Sequence, residues 1–355
     1  MLLRLFLLQC SRKCRGQRNP RLADALLLPS VSSYIRGSVF LGASVAGLAA
    51  DKPFRVLTLD GGGAKGFYTL GVLHEVEAML GKPIHEAFDL IFGTSTGAII
   101  GTLLAIGTPV SKIHELYRKH VPDVMRPKDK ARRSAALKKL GDEIFKEQKF
   151  DAVKTGLGVV ATKWVMETPI IFKSDPKQAH GRAATFVPGF GCTLSDAVQA
   201  SCSAYPFFTR RQLQINGDEL LLLDGGFCAN NPTLYAIADA VRAYKVPHER
   251  IKILNVGVGE YPVPRVKKFT KAWLISWAEE AELIQKTFNI NAESMEQLRR
   301  ILFPDIETVR VSEAFTEPSM ETDLLEYDLS KLDLIHTRGR DSFGKQETAI
   351  RTLLL

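Results

Sequence analysis

Nowhere do the 355 residues approach the roughly 18 consecutive apolar residues that a membrane-crossing helix needs, so no helical span is expected. Cysteines are few: the five form an odd set, and Cys192, Cys202 and Cys228 stand in apolar or motif-rich stretches rather than in a compact framework. That argues against a disulfide scaffold and for free thiols in a reducing compartment. Cys10 and Cys14 lack the histidines or second cysteine pair of a zinc site. Neither a calcium-loop pattern nor a His-rich cluster occurs, so no metal and no cofactor are expected. Internal repeats and low-complexity linkers are missing too, which removes solenoids and arrays.

Acids are scarce at the start of the chain. In residues 1–50 Arg4, Arg12, Lys13, Arg15, Arg18, Arg21 and Arg36 face Asp24 alone, a balance of +6 out of the formal net charge of +8. Residues 51–355 therefore hold only +2, which does not argue for a nucleic-acid polymer as partner. Residues 1–51 are expected to form a basic extension outside the fold, with the protein in the cytoplasm at the inner face of the membrane. The stretch VFLGASVAGLAA (39–50), with small residues near Gly47 and Ala49, fits a secretory signal instead, and the acid-poor Arg/Ser content fits a transit peptide.

With 45% hydrophobic residues the remainder can bury a substantial core. From residue 54 short apolar runs alternate with helical periodicity, the signature of an α/β fold with a mainly parallel sheet. FRVLTLD (54–60), FDLIFG (88–93), LLLLD (220–224) and IKILNVGVG (251–259) read as buried strands. Helices are expected over Phe67–Leu80, Ala98–Ile106, Leu194–Ser201 and from Asn231-Pro232 to Tyr244. Lys112–Lys139 is helical and polar, with a basic cluster at Arg126, Lys128, Lys130, Arg132 and Arg133, and Val159–Lys173 resembles a strand pair. After residue 260 the character is mainly helical, with Trp273, Leu274, Trp277, Leu283 and Ile284 at amphipathic spacing.

Three turns carry the chemistry. Gly93-Thr94-Ser95-Thr96-Gly97 is a G-x-S-x-G between a strand and a helix, where a tight turn projects a serine hydroxyl and the helix N-terminus favours developing negative charge. Asp60-Gly61-Gly62-Gly63-Ala64-Lys65-Gly66 also joins a strand to a helix, and its free N–H groups can hold an oxyanion. Its G-x-G-x-x-G spacing admits a dinucleotide site as well, but the acid expected at the end of the next strand is replaced by GTSTG. Asp224-Gly225-Gly226 ends a buried strand and offers a base, which burial would make a better proton acceptor. Asp60 is the competing carboxylate. A Ser-Asp-His esterase would need His248 or His336, neither of which has a distinguishing loop, and a non-catalytic nucleotide-binding effector remains the alternative from another class.

DGGGAKG, GTSTG and DGG in this order resemble the patatin-like phospholipases, and ATKWVMETPIIFKS (161–174), ASCSAYPFF (200–208) and DGGFCANNP (224–232) extend the likeness over roughly residues 54–260. The family more commonly shows DGA where DGG stands here. The resemblance implies a three-layer α/β/α fold, Ser95 as nucleophile, Asp224 as proton acceptor, and Gly62, Gly63 and Lys65 in the oxyanion loop. It further implies a lipid acyl hydrolase acting on membrane phospholipid, in peripheral contact with the bilayer and in an oligomer or alone. Within the family DGGGAKGFYTLGVLHEVE and FDLIFGTSTGAIIG resemble the CapV-type bacterial enzymes, which implies cyclic GMP-AMP as an allosteric activator in anti-phage defence. The expected organisation is an extension over 1–51, a catalytic domain over 52–260 and a mainly helical region over 261–355 packed on it.

Overall fold

A computed structural model describes residues 52–262 and 272–355, with the backbone alone over 272–281. The basic extension, Cys10 and Cys14, and the side chains of Trp273, Leu274 and Trp277 lie outside the described residues.

Strand β1 (Phe54–Leu59) leads through the Gly-rich loop into helix α1 (Gly66–Leu80), which Gly81 ends at φ 61° by donating its N–H to Glu77 O. A single turn α2 (Ile84–Ala87) precedes β2 (Leu90–Thr94) and α3 (Thr96–Ala105). The polar stretch expected over Lys112–Lys139 resolves into two helices, α4 (Val110–Met125) and α5 (Lys130–Phe145). Pro127 cannot donate to a continuing helix, and the Asp129 carboxylate restarts one by accepting from Arg132 N at 3.1 Å. The expected strand pair is β3 (Gly156–Lys163) and β4 (Thr168–Lys173), joined antiparallel. Helix α6 (Leu194–Ser201) begins in a capping box built by Thr193 and Asp196. Then follow β5 (Arg211–Ile215), β6 (Asp218–Asp224), the turn α7 (Gly226–Ala229), α8 (Thr233–Ala238) and β7 (Ile251–Val256). The region after residue 260 supplies α9 (Ala272–Leu302), β8 (Glu307–Val311) and α10 (Leu329–Leu354).

β3, β2, β1, β7 and β8 lie side by side and parallel, while β4, β5 and β6 pair antiparallel at one end. Helices cover both faces: α1, α3, α4, α5, α6 and α10 enclose the larger core, and α8 closes the other face over Val56, Phe92 and Ile253. This is the expected three-layer arrangement, with one strand, β8, beyond the helical C-terminal expectation. Helices α1 and α10 touch backbone to backbone. A methyl on Gly71 would stand 2.1 Å from His336 O, and one on Gly339 would stand 2.1 Å from Tyr68 O.

At the end of β1, Asp60 is buried and committed: Arg310 of β8 donates to Oδ2 at 2.8 Å and Asn255 of β7 to Oδ1 at 3.0 Å. Removing one partner of such a pair strands the other charge. Arg310→Ala is expected to destabilise the chain by about 3–5 kcal/mol, read as a lower denaturant midpoint, whereas Arg351→Ala, which removes an exposed cation paired with Glu347, should change little.

Candidate active site

The register of β3 brings the serine and the aspartate together. β4 runs along one flank of β3, and on the opposite flank Thr94 of β2 pairs with Val160 while Asp224 of β6 pairs with the next residue, Ala161. The two strands thus meet end to end, one arriving from each direction. Ser95 follows Thr94 at once, and its Oγ donates to Asp224 Oδ2 at 2.7 Å.

Ser95 is held at φ 53°, ψ −122°, a left-handed conformation that side chains seldom adopt. Two contacts hold it there: its N–H donates to Ser201 Oγ at 2.8 Å, and Ser201 donates onward to Val160 O at 2.6 Å. The turn needs glycine on both sides. A methyl on Gly93 would lie 2.3 Å from Gly97 O, and one on Gly97 would lie 2.3 Å from Leu59 O.

Asp224 is fully buried, and burial pushes its carboxyl up to about 7, although the Gly226 N–H at 2.7 Å and the Ser95 hydroxyl both pull it down. Gly225 packs against Val160 O, and the neighbouring Cys202 thiol is buried against Ser95 and pushed up by burial. A buried carboxyl with one oxygen on a serine hydroxyl and the other on an amide has the geometry of a proton acceptor.

The Gly-rich loop is anchored selectively. Gly61 N–H donates to Asn230 O, Ala64 N–H to Leu324 O, and Gly66 N–H to carbonyls within the loop. Gly62 and Gly63 N–H make no hydrogen bond among the described residues, and both glycines border the same cavity as Ser95. Two unused donors beside a serine can receive an oxyanion. Lys65 lies in the same loop; its N–H donates to Gly62 O at 3.2 Å, and its side chain is buried away from the cavity, 5.9 Å from the Tyr261 ring. Burial lowers the Lys65 amine to about 8 against the opposing pull of Asp323 and Glu260.

Behind Ser95 a narrow apolar cavity runs between α3, α4 and α5. Ile99, Leu103, Leu116, Val124, Leu140 and Phe208 are among its walls, and Tyr117 closes one side by hydrogen bonding to Thr96. So apolar a lining suits an acyl chain. The histidines of the alternative triad are engaged elsewhere: His248 Nδ1 lies 2.6 Å from Asp305, and His336 stacks on His114 at 4.0 Å. Burial, with His114 and His74 adding to it, drives His336 down to about 3 and keeps it neutral. Ser201 carries no signature in the sequence beyond ending a short helix. The basic cluster divides, because Arg133 is buried and donates to Phe207 O, while Arg126, Lys128, Lys130 and Arg132 are exposed.

Residues 57–237 match the family described as patatin-like phospholipase. The chain is 55% identical over 309 residues to the cUMP-AMP-activated phospholipase of Escherichia coli, covering 86% of this chain and 95% of that protein. It is 30% identical over 227 residues to calcium-independent phospholipase A2-gamma of Oryctolagus cuniculus, across 58% of this chain and 28% of that one. To the cGAMP-activated phospholipase of Escherichia coli strain TW11681 it is 27% identical over 237 residues, across 60% and 64% of the two chains.

Proposed function

This chain belongs to the patatin-like phospholipase family and is a hydrolase of that kind, and from that premise we propose that Ser95 and Asp224 form its catalytic dyad. Asp224 accepts the Ser95 proton as Oγ attacks a fatty-acyl ester of a membrane phospholipid. The tetrahedral oxyanion lies against the Gly62 and Gly63 N–H groups of the Gly-rich loop and beside the N-terminal end of α3, which Ser95 caps. As the intermediate collapses, Asp224 returns the proton to the leaving lysophospholipid alkoxide and the acyl group stays on Ser95. Water, deprotonated by Asp224, then attacks the acyl carbonyl, and Asp224 returns that proton to Ser95 Oγ as the fatty acid leaves. The observation that carries this reading is the 2.7 Å contact between Ser95 and Asp224 at the end of an apolar cavity.

The reaction is assigned no metal, in line with the name of the rabbit relative. A dinucleotide reading of the Gly-rich loop is disfavoured because Gly61 and Ala64 N–H are already used by Asn230 and Leu324. Residues before 52 are assigned no part in the chemistry, and the site of action is the inner face of the cytoplasmic membrane.

A cyclic dinucleotide switches the enzyme on, in anti-phage defence. Two relatives are named for such activation, and the more similar one for cUMP-AMP, so that ligand is tested first with cyclic GMP-AMP beside it. Fatty-acid release from phospholipid vesicles in EDTA, followed by mass spectrometry, is expected to rise at least tenfold with one of the two. Full activity without either ligand would remove the regulation and leave the hydrolase. No release under any condition would remove the hydrolase.

A further inference from the structure

We propose that a ring of aromatic and basic side chains around the mouth of the cavity seats the enzyme on an anionic bilayer, with the β3–β4 hairpin tip inserted among the headgroups. The inference rests on the chain being a lipid acyl hydrolase. Trp164, Val165 and Met166 form the hairpin tip and are 45%, 78% and 56% exposed. The Arg210 guanidinium lies over two exposed rings at once, 4.4 Å from the centre of Trp164 and 4.6 Å from that of Tyr205. Lys130 covers Tyr205 at 4.7 Å, and Arg126 lies 6.0 Å from the ring of Tyr327. A cation stacked on a lone surface ring is ordinary packing. Here three exposed rings each carry one, and two uncovered aliphatic side chains stand beside them.

Their position relates them to the cavity. Tyr205 stands between Ala204 and Phe207, which both line it; Tyr327 follows Leu324 and Leu325, and Arg126 follows Met125, which also line it. Rings with an apolar body and a polar edge favour the headgroup region, and Arg and Lys bind lipid phosphates through charge-assisted contacts. Charge fits the same partner. Between residues 126 and 132 four exposed cations, Arg126, Lys128, Lys130 and Arg132, accompany one acid, Asp129, whose carboxylate caps α5. An exposed acid, Glu167, adjoins Met166 at the hairpin turn.

The test uses the full chain carrying Ser95→Ala, so that vesicles survive, with and without cUMP-AMP. Vesicles are phosphatidylcholine alone or phosphatidylcholine and phosphatidylglycerol at two parts to one. Val165→Asp with Met166→Asp is expected to lower the partition coefficient on the anionic vesicles at least tenfold. Brominated phosphatidylcholine should quench emission that Trp164→Phe removes, a signal that the basic N-terminal segment cannot mimic. With Ser95 restored, the hairpin variant should turn over a soluble short-chain ester within twofold of the parent, which shows an intact fold. A parent inactive on that ester would count against the hydrolase, while partition would still report on the patch. Unchanged partition and unquenched Trp164 in both ligand states would overturn the proposal. Loss of cUMP-AMP binding in Arg210→Ala with vesicle partition intact would overturn it too, by giving the patch to the nucleotide.

Discussion

Replacing Ser95 with alanine is expected to lower kcat/KM for phospholipid by about 10⁴-fold or more while leaving the chain folded. Alanine keeps the Cβ, so the backbone at φ 53° is no more strained than before; what disappears is the Oγ and its bond to Asp224. If the pair works as one unit, Asp224→Ala should lose a similar factor, and the double variant should be little worse than either. Losses that multiply would show that the two residues act independently. His248→Ala and His336→Ala should stay within a few fold, since His248 is paired with Asp305 at the surface and His336 is stacked on His114. A loss of several orders of magnitude at either would return a histidine to the mechanism.

The parts of this site that could be read from sequence are those whose physics is local. β1, β2 and β7 are buried over most of their length and so appear as mainly apolar runs, and the glycines of both turns mark where backbones pass too closely for a side chain. Helix α6 was legible because its capping box lies within its own sequence. Strands β5 and β8 were not, and both stand at the ends of the sheet. RQLQI and ETVRV carry charge because an edge strand is half solvated, so neither resembles the buried strands. A signal for β5 was present in Asn216-Gly217, which turns the β5–β6 hairpin at φ 53° and 88°.

Contacts between distant segments were beyond reach for a different reason. Asp60 could be weighed as a rival base because nothing in its surroundings names Arg310, 250 residues away. Lys65 fell into the oxyanion loop by position, yet its side chain turns to Tyr261 and Asp323, which only tertiary packing decides. The cavity itself was hidden by composition. α4 and α5 read as polar helices, and their sparse apolar residues, Leu116, Val121, Leu137 and Leu140, converge only when the two helices pack.

The buried carboxyl of Asp224 makes activity and stability depend on pH in opposite senses. Burial raises its pKa from the ordinary 3.8 to about 7, so at pH 6 most of the folded enzyme carries it protonated and unable to accept from Ser95. kcat/KM is therefore expected to climb about tenfold per pH unit towards pH 7 and to level off above pH 8. For stability, a folded-state pKa above the unfolded one means that the fold binds the proton more tightly. That contribution is fully present below about pH 4 and is lost as pH rises through about 7. Above pH 8 the ionised carboxylate then weighs against the fold by as much as roughly 4 kcal/mol. Asp224→Asn keeps the shape and stays neutral: its Oδ1 can still accept from Gly226 N–H, and its amide can donate to Ser95 Oγ. The variant should lose about 10⁴-fold in rate, and it should melt higher than the parent at pH 8 by a margin that shrinks as the pH falls to 5. A parent more stable than the asparagine variant at pH 8 would mean that the fold stabilises the carboxylate, and the proton would have to leave Ser95 by another route.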